Sequence, residues 1–273
     1  MNLGYRKIAV FSLIVLLSGL TGACSSDFQT GSDGSAEANN GVSQAAQNDP
    51  NNPNVLVIKA ISQTTLGQYQ AAIADFNRAI QLDPNLAPAY NGRGLAYARM
   101  KEWKKAAEDF DQAIKLDPNL AEAYTNRASL RAGKGDLKSA IADYDQAIKL
   151  NENYADAYAG RGLAKGAMKD YKNAIADHDK AISLKPNDAR IYTNRGLLHA
   201  LSGNDKQAIA DYTEAIKLDP DSANAHNNRG LAYLRLKNNK QAKEDLNKAA
   251  SLFLKAGDKE GQKRAQDEAK KIK

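Results

Sequence analysis

The stretch "IADYDQAIKL" at residues 141–150 decides how the chain is read, because it recurs as "IADFNRAIQL" at 73–82, "IADHDKAISL" at 175–184 and "IADYTEAIKL" at 209–218. Looser copies, "AEDFDQAIKL" at 107–116 and "KEDLNKAASL" at 243–252, fill the gaps, so six copies follow one another at a period of 34 residues. A period of this size marks units that cannot bury their apolar faces alone and must stack into a solenoid. The composition, 42% hydrophobic and 26% charged over 273 residues, is that of an ordered chain with a sizeable core.

Cut at this period, the chain falls into six units, 53–86, 87–120, 121–154, 155–188, 189–222 and 223–256. Each reads as helix, turn, helix. In the second, Ala87, Tyr90, Gly94 and Tyr97 recur at helical spacing, as do Trp103, Ala106, Phe110 and Ala113 after the turn "MKE". Prolines 84, 118, 186 and 220 end the second helices and fit the first turn of the helix that follows. Small residues stand where helices cross: Ala60, Gly94, Ala128, Gly162, Gly196 and Gly230, then an unbroken column of alanines at 72, 106, 140, 174, 208 and 242. After Phe253, Gly257 as a helix stop, Asp258 as a helix start and a thin stripe of Ala265, Ala269 and Ile272 predict a polar capping helix over 257–273.

At these residues the chain resembles the tetratricopeptide repeat family, over 53–256. The resemblance implies an all-α fold, a right-handed α-solenoid of six helix-turn-helix repeats whose first helices line a concave groove that binds partner proteins. The stripe in that position carries Asn91, Leu95, Thr125, Ser129, Ala159, Leu163, Thr193, Leu197, Asn227 and Leu231, with Arg99, Arg190 and Arg235 near its rim. Leucines among small polar residues suit a peptide or helix ligand. The lysine and asparagine pair by which chaperone co-factors of the family hold a terminal carboxylate has no counterpart here, Val57 and Ile61 or Asn91 and Leu95 occupying those places.

Two charged columns run through the repeats. Aspartates 75, 109, 143, 177, 211 and 245 form one; arginines 93, 127, 161, 195 and 229, with Lys59 in the first unit, form the other. Wheel positions put both at the edges of buried stripes rather than in the groove. The expected structural ladder joins each aspartate to the arginine of the next unit: Asp75 to Arg93, Asp109 to Arg127, Asp143 to Arg161, Asp177 to Arg195 and Asp211 to Arg229. A basic rail for phosphate is the competing reading, and the balance of charges in register favours the ladder.

The segment before the repeats is of another material. Arg6 and Lys7 precede a thirteen-residue apolar run, 8–20, which reads as an export signal over 1–23. The run ends in "LTGAC", which resembles the lipobox of bacterial lipoproteins and implies lipidation of Cys24, the only cysteine; ordinary cleavage after Ala23 is the alternative. Residues 24–52, rich in Ser, Gly, Asn and Gln, read as a disordered tether with a reach of about 30 Å. Ser25 and Ser26 after the cysteine imply transit to an outer membrane, facing the periplasm, where the organism has one.

No chemistry of catalysis is legible. His178, His199 and His226 replace aromatic residues of their columns and match no metal-ligand spacing. "GRGLAKG" at 160–166 has glycines inside a repeated helix, not in a phosphate-cradling loop. The formal net charge of +6 falls to +4 without Arg6 and Lys7, which points to weak attraction for anionic surfaces rather than nucleic acid. The reading is a non-enzymatic, lipid-anchored envelope scaffold without cofactor or metal, binding protein partners. Self-association as an assembly factor for an outer-membrane or pilus machine is the alternative.

Overall fold

The computed structural model describes Asp49 and residues 51–272; the expected signal, Cys24 and most of the tether lie outside them. Among the described residues there are thirteen helices. Six pairs follow the repeat: α1 (Pro53–Thr65) with α2 (Tyr69–Leu82), α3 (Ala87–Arg99) with α4 (Trp103–Leu116), α5 (Ala121–Gly133) with α6 (Leu137–Leu150), α7 (Ala155–Ala167) with α8 (Tyr171–Leu184), α9 (Ala189–Leu201) with α10 (Asp205–Leu218), and α11 (Ala223–Arg235) with α12 (Asn239–Lys255). A last helix, α13 (Lys259–Lys270), packs on α12. The fold is an all-α solenoid of helix pairs. It divides between Glu152 and Asn153 into two units of three repeats each, the second also carrying α13.

The helix ends have local causes. Within each repeat the chain turns through a left-handed residue, supplied by Gly67, Gly135 and Gly203 in the odd repeats and by Lys101, Lys169 and Lys237 (φ 62–68°) in the even ones. A side chain pays a steric penalty in that region, so the sequence signal for these turns is half missing. Between repeats, Asp83, Asp117 and Asp219 accept hydrogen bonds from the backbone N–H two residues on, closing tight turns. Pro84, Pro118, Pro186 and Pro220 sit inside these turns, ahead of the next helix, which corrects their expected place in its first turn.

The core is built from close approach. Alanines 72, 106, 140, 174, 208 and 242 are fully buried, as are 79, 113, 147, 181, 215 and 249. Each glycine of the first-helix column lies under the large side chain of its own second helix. A Cβ on Gly94 would come within 2.8 Å of the Phe110 ring, one on Gly196 within 2.7 Å of Tyr212, and one on Gly230 within 2.9 Å of Leu246. Contacts that short do not exist between real side chains, so the glycine and the ring are one packing unit. In the third repeat Ala128 takes the place of glycine, and Tyr144 is held by a 3.0 Å hydrogen bond between its hydroxyl and Ser129 Oγ.

Candidate interaction surface

The charged columns are assembled inside the repeats. Arg93 donates through Nε and Nη2 to both oxygens of Asp109, at 2.9 and 2.7 Å. Arg127 does the same to Asp143, Arg161 to Asp177, Arg195 to Asp211 and Arg229 to Asp245. In the first repeat Lys59 takes the arginine's role toward Asp75, at 3.0 Å. The expected pairing of each aspartate with the arginine of the next repeat is therefore wrong. The partner is the arginine sixteen residues earlier, on the antiparallel first helix of the same repeat.

A link between repeats does exist, through the third guanidinium nitrogen. Arg93 Nη1 donates to Asn77 Oδ1 of the preceding repeat at 2.6 Å, Arg127 Nη1 to Asp111 at 2.7 Å, Arg195 Nη1 to Asp179 at 2.7 Å and Arg229 Nη1 to Thr213 Oγ1 at 3.1 Å. Each of these acceptors lies two residues after the column aspartate, a position that sequence reasoning passed over because Asn, Asp and Thr alternate there. The guanidinium of Arg93 also lies 5.4 Å from the Tyr90 ring centroid, and Arg127, Arg161 and Arg195 repeat the contact with Tyr124, Tyr158 and Tyr192. The hydrogen bond to Asp109 outweighs burial and raises the pKa of Arg93. These arginines are consumed by structure, which removes the basic-rail reading.

The groove stripe is also corrected. Thr125, Ser129, Leu163, Thr193 and Leu197 are buried, Leu163 at 1% exposure. Thr125 and Thr193 donate to the carbonyls four residues back, Ala121 and Ala189, and Ser129 to that of Thr125. These residues pack the repeats and offer a ligand nothing. Asn91, Leu95, Asn227 and Leu231 remain half-buried. Asn91 accepts from Asn126 of the next repeat at 2.9 Å, and Leu231 lies against the cluster of Ala242, Leu246, Ala269 and Ile272. Two rim arginines are engaged, Arg190 with Asp188 and Arg235 with Asp205. Arg99 is different: its Nη2 is buried with no acceptor.

The histidines are separate fixtures, and among the described residues no cluster of metal-ligating side chains forms. His226 lies between two acceptors, Asp245 Oδ1 at 3.0 Å from Nδ1 and the Pro220 carbonyl at 3.2 Å from Nε2, where Tyr90 uses its hydroxyl on Pro84. Burial opposes the Asp245 carboxylate, but hydrogen bonds from Arg229 and His226 win and hold its pKa below the usual range. His178 is fully buried, its Nδ1 bonded to the Ala174 carbonyl at 3.0 Å, and burial pushes its pKa down to about 4.

That depression has a sign. Unfolded His178 takes a proton near pH 6.5 while the folded form stays neutral to about 4, so its share of stability is intact above pH 6.5 and lost as pH falls through that window. The loss amounts to about 3 kcal/mol in full, at 1.36 kcal/mol per pKa unit. His178→Phe, which restores the residue of the first two repeats, is expected to flatten the decline in urea-unfolding stability between pH 6.5 and 4; an unchanged slope would count against it.

The comparisons with known proteins bear on this arrangement. A model described as TPR repeat matches residues 64–101, 129–169, 167–203 and 200–237, and models described as tetratricopeptide repeat match 87–120 and 223–255. The chain belongs to the tetratricopeptide repeat family. No curated protein matches the sequence. Among solved structures, the APC/C hetero-tetramer Cut9-Hcn1 is similar at TM-score 0.71 and 18% identity over 81% of this chain, which spans 44% of that one. PilW, a widely conserved type IV pilus biogenesis factor, is similar at TM-score 0.70 and 20% identity, over 78% of this chain and 98% of PilW. YrrB, a TPR protein with an unusual peptide-binding site, is similar at TM-score 0.53 and 23% identity, over 70% of this chain and 97% of YrrB. At these identities the likeness is one of tetratricopeptide fold.

Proposed function

We propose that this tetratricopeptide protein is a non-catalytic scaffold, anchored in the cell envelope by lipidated Cys24, that binds a peptide or helix of a partner protein along the first helices of its repeats. The observation that carries the binding surface is the stripe of Asn91, Leu95 and Arg99 on α3. Its members are half-buried at spacings of four, an apolar side chain between two polar ones. The export-signal pattern, the small residues before Cys24 and the polar segment after it support the anchor and the periplasmic, outer-membrane location. The column carboxylates are neutralised within the repeats, which supports a scaffold rather than an enzyme.

Crosslinking the full chain in its native envelope tests the binding surface. Leu95→Ala combined with Arg99→Gln is expected to lose the captured partner while circular dichroism stays that of the parent and melting falls by only a few degrees, the protein remaining folded at the temperature of the assay. Capture unchanged by both substitutions would reject α3 as the surface. Capture of a second copy of the chain would favour the self-associating assembly factor. For the anchor, a palmitate analogue is expected to label the parent and not Cys24→Ser; unlabelled parent with a free thiol would reject lipidation.

A further inference from the structure

The second residue of each second helix is a lysine in five of six repeats: Lys104 in α4, Lys138 in α6, Lys172 in α8, Lys206 in α10 and Lys240 in α12, with Gln70 in α2. All five are exposed, and none is in an ion pair among the described residues. The helix dipole disfavours a cation in the first turn, so the column does not serve helix stability. The adjacent column, exposed except at the half-buried Ser139, has drifted, holding Ala71, Lys105, Ser139, Asn173, Gln207 and Gln241.

Two of the acidic groups at the same turns are neutralised by other cations, Glu102 by Lys105 and Asp205 by Arg235 at 2.6 Å, while Asp136 and Asp170 accept from the neutral donors Ser139 N and Asn173 and keep their charge, leaving the lysines in excess. Lys101, Lys169 and Lys237 add exposed ammonium groups from the left-handed turn position. Beside them stand apolar side chains in water: in the second unit Met168 is 46% and Leu236 37% exposed, and in the first Leu66 is 70% exposed. Lysines in excess and without ion-pair partners around single exposed Met and Leu side chains match a lipid headgroup layer, where ammonium groups meet phosphate and the apolar tips enter the acyl boundary. A single-stranded nucleic acid would need aromatic faces to stack on. Trp103 and Tyr171, at the head of their helices, are half-buried, Trp103 in packing with Phe110.

We propose that the edge formed by the turns within the repeats docks on an anionic lipid surface, with Lys172, Lys206 and Lys240 of the second unit meeting the headgroups and Met168 and Leu236 inserting between them. This goes beyond the partner-binding reading, concerns other residues and does not need the acyl chain of Cys24. The test therefore uses the full chain with Cys24→Ser throughout, sedimented with phosphatidylcholine vesicles with or without phosphatidylglycerol. Any contribution of the N-terminal segment is then common to all variants.

Lys172→Gln, Lys206→Gln and Lys240→Gln together are expected to weaken binding to the anionic vesicles at least about tenfold, given the attraction each lysine gains near such a surface. Lys180→Gln, Lys217→Gln and Lys248→Gln together remove the same charge from exposed positions elsewhere on the same helices and are expected to change binding less than about threefold. Met168→Ser with Leu236→Ser is expected to weaken vesicle binding a few-fold and to leave retention on duplex DNA unchanged. Equal losses in the two lysine sets would mean that only net charge acts and would overturn the proposal. So would vesicle binding indifferent to the Met168 and Leu236 changes, which would leave a general polyanion surface.

Discussion

Replacing Asp109 by Ala is expected to lower the unfolding free energy by about 3 kcal/mol, the lower end of what is lost when one partner of a buried ion pair is removed. Asp109 is buried, its side chain 8% exposed, and both its oxygens are held by Arg93. Without it the half-buried guanidinium keeps Asn77 and the Tyr90 and Tyr97 rings, 5.4 and 5.9 Å away, but loses the carboxylate it pairs with. A double-mutant cycle locates the pairing. Asp109→Ala with Arg93→Ala is expected to couple by about 1–3 kcal/mol, and Asp109→Ala with Arg127→Ala, the pair of adjacent repeats, by less than about 0.5 kcal/mol. Urea unfolding of the three single and two double variants measures both, and stronger coupling to Arg127 would contradict the geometry.

Leu163→Ala is expected to cost about 2–5 kcal/mol, the range for a buried leucine that leaves a cavity. It lies at 1% exposure on α7, between Gly162, which sits under His178, and the fully buried Ala164. The half-buried Leu95, at the equivalent place on α3, is expected to cost roughly 1 kcal/mol for the same change. Thermal and urea unfolding of the two variants measures the contrast. A Leu163→Ala protein as stable as the parent would return that leucine to the ligand surface.

The sequence on its own determined the repeat, the helix pairs, the crossing columns and the closing helix, because each follows from spacing along one chain. The Asp258 side chain caps α13 by accepting from Gly261 N, and Gly257 turns at φ 77° before it; both are local choices of residue type. The turns at Lys101, Lys169 and Lys237 were not marked by residue type, since lysine carries no left-handed preference and only the geometry of two antiparallel helices forces it there. Partner choice in the charged columns was undetermined for a related reason. A helical wheel gives each side chain an angle, and Arg127 has a column aspartate sixteen residues after it and another eighteen before it, at Asp143 and Asp109. Antiparallel packing within a repeat brings the first into bidentate reach and leaves Asp111 to bridge the repeats. Burial of Thr125, Leu163 and Leu197 was likewise a decision of the tertiary structure, because the width of a helix stripe that neighbours cover depends on how closely the helices approach, and here alanine and glycine columns let them approach closely enough to enclose it.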